Sequence, residues 1–161
     1  MSNACGHAHA EPGMSPGQIV RALDEAESRC VSGGERLTAP RRRVLELLLE
    51  AGEAVKAYDL IARYGPDGVA AKPPTVYRAL EFLERNGLAH RIASISAYVA
   101  CSVGDRAHAA AFLICDCCGA TVEVTPPEGE ALRRAAETAG YALERTTIEG
   151  HGRCAACRIA A

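Results

Sequence analysis

The chain has 161 residues, with 18 Lys and Arg against 20 Asp and Glu, eight Cys, no Trp, five Tyr and two Phe. That length suits one ordinary domain or two very small ones, and a net charge of −2 excludes a protein that coats nucleic acid non-specifically while leaving room for local basic surfaces. No apolar run approaches the roughly 18 residues needed to span a bilayer, and 31 alanines swell the apolar fraction, so each core is short of large side chains and calls for a metal or an oligomer interface.

Residues 1–15 carry Cys5, His7, His9, Gly and Pro instead of a basic stretch followed by an apolar one. This predicts a disordered tail with neither a secretory nor a transit signal. The expected location is the cytoplasm, where eight cysteines point to metal more than to disulfides.

From Gln18 to about Ser32, Ile19, Leu23, Ala26 and Cys30 recur on one helical stripe that Gly33-Gly34 ends. Thr38 is the expected N-cap of a second helix, with Pro40 just inside it and Val44, Leu45, Leu48 and Leu49 on its apolar face up to Gly52. Arg41, Arg42 and Arg43 crowd its first turn against the helix dipole, which favours a phosphate partner over a structural role. A short helix is expected over Ala57–Tyr64. A fourth begins at Pro73-Pro74-Thr75, carries Val76, Leu80 and Leu83 on its core face and stops at Asn86-Gly87.

The stretches Leu88–Ile92 and Ala97–Cys101 then read as a hairpin, so the first half is a winged helix-turn-helix. Charge agrees with that division: residues 30–92 hold ten basic and eight acidic groups, the one net-positive segment. Beyond it, Ala109–Cys115 reads as a buried strand, Thr121–Val124 as a second, Glu128–Ala139 as a helix capped by Gly140, and Tyr141–Glu149 as a third strand. The fold class is thus α+β, a winged helix-turn-helix followed by a small α/β unit. The expected boundaries are a tail over 1–15, the winged helix over 16–94 and the α/β domain over 95–161.

Cys115-Asp-Cys-Cys118-Gly and Cys154-Ala-Ala-Cys157 are two Cys-x-x-Cys pairs. Such pairs set two thiolates on one side of a tight turn, and two turns make a tetrahedral four-cysteine cage suited to a structural Zn²⁺. A thiol–disulfide pair would want its first Cys at a helix N-terminus, whereas here a strand precedes each pair. Cys117 is an ambiguous fifth thiol, and the ligands are assigned to Cys115 and Cys118 on spacing. His90, Cys101, His108 and Glu123 form a dispersed second set, a thiolate, two imidazoles and a carboxylate, which as a mixture suits Zn²⁺ better than Mn²⁺ or Fe²⁺. His151 is either a further ligand or a donor behind the cage. No nucleophile–base pair, Gly-rich phosphate loop or paired acids are present, so neither an enzyme nor a small-molecule substrate is expected.

Arg36-Leu-Thr-x-x-Arg41, Ala57-Tyr58-Asp59-Leu60 and Lys72-Pro73-Pro74-Thr75-Val76-Tyr77-Arg78-Ala79-Leu80, with Cys-x-x-Cys-Gly and His151-Gly-x-Cys-x-x-Cys, resemble the Fur family of metal-dependent repressors. The resemblance runs from about Cys30 to Cys157, and the Lys-Pro-Pro-Thr-Val-Tyr-Arg stretch is similar to that of the family's zinc branch. It implies a DNA-binding winged helix and a dimerisation domain, hence a homodimer on double-stranded, palindromic DNA that represses zinc-uptake genes. It also implies two zinc ions per protomer, a structural one at Cys115, Cys118, Cys154 and Cys157 and a regulatory one at His90, Cys101, His108 and Glu123. The absence of a His-rich segment argues against iron sensing. Iron or manganese regulation and a thiol-based redox sensor are the alternatives.

On the fourth helix, Tyr77 and Arg78 are the expected base-edge residues, with Thr75 near the backbone or a thymine methyl. Arg36, Arg41 and Tyr58 are expected on phosphates. Tyr58 and Tyr77 are alternatively partly core, whereas Val76 and Leu80 are core.

Overall fold

The computed structural model describes residues 14–65, 69–101, 110–125, 129–144 and 146–159. It divides the chain into two compact units, which meet in sequence between Gly104 and Asp105. Of the expected tail over 1–15, residues 1–13 lie outside the described residues, and Ser15 takes the N-cap position of the first helix.

In the N-terminal unit, α1 (Pro16–Ser32), α2 (Ala39–Ala51), α3 (Ala57–Arg63) and α4 (Pro73–Arg85) precede the hairpin of β2 (Ala89–Ile92) and β3 (Ala97–Ala100). A two-residue strand, β1 (Val55–Lys56), pairs with the free side of β3, giving an antiparallel sheet in the order β1-β3-β2. This is the winged helix-turn-helix that the periodicity predicts. The expected stripe of α1 is the buried one, Ile19, Leu23, Ala26 and Cys30. It packs with Val44, Leu45 and Leu48 of α2 and Val76, Leu80 and Leu83 of α4 in one core.

Thr38 takes the N-cap position of α2 without a side-chain cap bond. At the end of α4, buried Asn86 donates from Nδ2 to the Phe82 carbonyl at 3.0 Å, and Gly87 supplies the left-handed φ of 62° that turns the chain into the wing. β3 pairs on both sides, and the sheet of this unit runs to Ala100.

The C-terminal unit holds β4 (Ala110–Cys115), β5 (Thr121–Val124), α5 (Gly129–Thr138), β6 (Thr147–Gly152) and α6 (Ala155–Ile159). Its sheet order is β5-β4-β6, with β4 antiparallel to β5 and parallel to β6. The third strand therefore lies later than the expected Tyr141–Glu149, and α6 is an addition to the expected elements. Parallel pairing explains the shift: the ladder runs from Ala110↔Thr147 to Cys115↔Gly152, and it enlists Gly150 and Gly152 despite their poor strand propensity. A Cβ on Gly150 would lie 3.2 Å from Leu113 Cδ2, so a glycine there lets Leu113 lie close over β6.

Candidate metal centres and nucleic-acid interface

Cys115 ends β4 and Cys118 lies in the following turn, while Cys154 precedes α6 and Cys157 lies within it. The parallel β4–β6 ladder brings these two turns side by side, although Cys118 and Cys154 are 36 positions apart. Ligand atoms of all four cysteines lie within 4.8 Å of one another, and Cys118 Sγ is 3.8 Å from Cys154 Sγ. A regular tetrahedron with Zn–S bonds of about 2.3 Å has edges of about 3.8 Å, so the donor set fits zinc in size as well as in chemistry.

Cys115, Cys118 and Cys157 are buried and, with Ala120 and Cys154, form a core cluster made almost wholly of thiols. Backbone N–H groups of Cys118 and Cys154 donate to Cys115 Sγ, the latter at 3.3 Å, and hold its thiol down to about 6. Cys157 is pushed the other way, first by burial and then by hydrogen bonds to neighbouring thiols, Cys117 among them. Backbone donors thus favour the thiolate at Cys115 while burial opposes charge on Cys157, so gathering negative charge in this buried cluster calls for a cation. Cys117 itself is exposed.

His151 Nδ1 donates to Asp116 Oδ1 at 2.9 Å, and its Nε2 lies 3.9 Å from Glu149 Oε2. The Asp116 N–H donates to the Gly152 carbonyl at 2.8 Å. His151 therefore ties the turn after β4 to β6. Asp116 was not among the expected site residues; its place between two cysteines was the signal available for it.

His90 lies in β2 opposite Val99, and Cys101 follows β3 with its N–H on the Leu88 carbonyl at 3.0 Å. A ring nitrogen of His90 and Cys101 Sγ come within 4.8 Å of each other. Glu123 lies in the C-terminal unit, on β5 opposite Phe112, and is half-buried. His108 lies outside the described residues. Imidazole, thiolate and carboxylate are borderline donors of the kind zinc accepts.

On the winged helix, α4 begins at Pro73 and Pro74 without a side-chain cap, leaving its N-terminus open. Its core face carries Val76 and Leu80, while Tyr77 and Arg78 point outward, Tyr77 with 52% of its surface exposed, and Thr75 is half-buried. Tyr58 on α3 is 77% exposed, so neither tyrosine is core. Arg36 is exposed before α2.

The arginine run divides by role. Arg42 bonds Asp24 at 3.2 Å and Glu27 at 3.1 Å, both on α1. Arg43 bonds Glu46 at 2.6 Å and the Tyr64 carbonyl at 2.9 Å. These partners within the chain offset the unfavourable place of Arg42 and Arg43 at the helix N-terminus. Arg41 stacks its guanidinium 3.6 Å from the Phe82 ring centre and donates to the Arg36 carbonyl at 2.6 Å.

Among the described residues no helix is long and apolar enough to cross a membrane. Residues 32–151 match the ferric uptake regulator family. The chain is 42% identical over 138 residues to the zinc uptake regulation protein of Escherichia coli (strain K12), covering 84% of this chain and 80% of that one. It is 34% identical over 137 residues to the zinc uptake regulation protein of Mycobacterium tuberculosis (strain CDC 1551 / Oshkosh), covering 79% and 98%. Among solved structures it resembles a zinc uptake regulator complexed with zinc and DNA, with a TM-score of 0.79 and 40% identity over 88% of this chain and 96% of that one.

Proposed function

The chain belongs to the ferric uptake regulator family, and on that premise we propose that it is a cytoplasmic, zinc-responsive repressor that binds palindromic DNA as a homodimer and silences zinc-uptake genes, without catalysing a reaction. The observation that carries this reading is the outward face of α4, where Tyr77 and Arg78 stand free of the core on a winged helix. Helices placed this way read base edges in the major groove. Thr75 sits beside them, while Arg36, Arg41 and Tyr58 supply phosphate contacts that set the register.

Two zinc ions per protomer complete the proposal. Cys115, Cys118, Cys154 and Cys157 hold the structural one, and His90, Cys101, His108 and Glu123 hold the regulatory one. Bound zinc supplies a cross-link and charge neutralisation without redox chemistry. Ligation at this second set makes each winged helix's engagement of DNA depend on zinc. The fit of the dimer to two half-sites about 34–36 Å apart then depends on zinc, and DNA in turn tightens zinc binding.

A homodimer accounts for the exposed apolar face of the C-terminal sheet. Leu113 and Val122, direct cross-strand partners, are 55% and 57% exposed, and Ile148 on β6 adds to them. A patch of this kind on a small unit marks an association surface.

The test is selection of bound duplexes from a random pool at fixed salt, followed by zinc titration of metal-free protein against the selected site. The expected outcome is a palindrome, zinc-dependent binding, and weaker support from iron(II) or manganese(II). A folded Cys101→Ser variant that keeps full zinc-dependent binding overturns the regulatory assignment.

A further inference from the structure

α3 is seven residues long and buries Ala57 and Leu60, with Ile61 partly buried against the same core. A helix that short does not support itself, and the carbonyls of its last turn find no partner within it. Arg43 of α2 meets this end: its Nε donates to the Tyr64 carbonyl at 2.9 Å and its Nη2 to the Arg63 carbonyl at 3.4 Å. Nη1 donates to Glu46 Oε2 at 2.6 Å and lies 3.6 Å from Glu50 Oε1, so all three nitrogens of the guanidinium are engaged inside the unit.

The same end of α3 is tied to the approach to α4. The Ala71 N–H, two residues before α4 begins, donates to the Ile61 carbonyl at 3.0 Å, and the Gly65 N–H donates to the Val69 carbonyl at 3.0 Å. A Cβ at Gly65 would stand 2.5 Å from that Val69 oxygen, so this closure needs a glycine. A displacement of the α3 end is therefore carried into the first turns of α4, where Thr75, Tyr77 and Arg78 stand.

We propose that Arg43 is a positioning residue for the reading of DNA sequence: by capping the C-terminal end of α3 it fixes that helix against α2 and, through the Ile61–Ala71 bond, the aim of α4. The inference rests on the reading of α4 as the recognition helix made above. With its charge met by Glu46 and Glu50, Arg43 acts on discrimination more than on overall attraction. Side chains reading base edges depend on orientation to a fraction of an ångström, whereas phosphate contacts add to the affinity for every sequence.

The experiment uses the full, zinc-loaded chain and compares binding to the selected duplex and to a scrambled one at several salt concentrations. Arg43→Ala is expected to lower the ratio of the two affinities about tenfold, with the slope of log affinity against log salt unchanged. Arg43→Lys keeps one donor for the Tyr64 carbonyl and recovers part of the ratio. Ile19→Ala on α1 sets the effect of lost core packing by itself and leaves the ratio at the parent value. A loss equal on both duplexes overturns the proposal, and so does a slope that falls by about one, which would make Arg43 a phosphate contact. Where Arg43→Ala does not fold, Arg43→Lys decides, and a ratio equal to the parent's overturns the proposal. A parent chain that prefers no duplex instead defeats the recognition-helix reading, so the two failures are told apart.

Discussion

The Arg41 guanidinium lies 3.6 Å from the centre of the buried Phe82 ring, so a side chain that the sequence places on phosphate is held first by the core of its own unit. Its hydrogen bond to the Arg36 carbonyl fixes the segment that carries a second arginine proposed to contact phosphate. Arg41→Ala is expected to cost about 1–2 kcal/mol of stability, from the lost cation–π contact and side-chain packing. Arg41→Lys keeps the charge but loses the flat stacking surface, so urea denaturation should rank it between Ala and the parent chain.

Removing the structural zinc, by chelation or by Cys154→Ser, is expected to unfold the C-terminal unit and leave the N-terminal unit folded. The thiol cluster at the end of β4 has too little apolar surface to persist unaided, whereas α1, α2 and α4 share an extensive aliphatic core. Amide exchange is the measurement: β4 and β6 should lose protection while the buried amides of α2 and α4 retain theirs.

Asp116→Ala is expected to weaken zinc binding at the cage by about 10- to 100-fold, because the Asp116–His151 hydrogen bond braces the turn that carries two ligands. Metal competition with a chelator of known affinity reads the effect. Asp116→Asn, which keeps an acceptor, should recover part of it.

Arg78→Ala is expected to cost about 1–3 kcal/mol of DNA binding and to relax sequence preference at one position of the site. Arg36→Ala should weaken binding to all sequences alike and lower the slope of log affinity against log salt by about one. Titrations at several salt concentrations, on the selected site and on a scrambled duplex, separate the two behaviours.

The helices of the winged unit were legible because each buries one stripe, and Ile19, Leu23, Ala26 and Cys30 announce that stripe at helical spacing. The grouping of Cys115, Cys118, Cys154 and Cys157 was legible because paired Cys-x-x-Cys turns carry their own spacing. β6 was misplaced because its position is set by pairing with β4, and Gly150 and Gly152 carry no strand signal of their own. α6, five residues long, is too short to show a period. The roles of Arg42 and Arg43 were hidden for a related reason: the partners of Arg42 lie 15 and 18 positions upstream on another helix, and no local pattern points to them.

The parallel pairing of β4 with β6 also orders events during synthesis. Parallel neighbours need a crossover, here the segment containing α5, before Cys115 and Cys154 can meet. A nascent chain that has emerged only as far as β5 presents just Cys115, Cys117 and Cys118 of this cluster. Zinc capture at the cage therefore waits until the second Cys-x-x-Cys has left the ribosome and the crossover has closed, which makes metallation a checkpoint on completion of this unit.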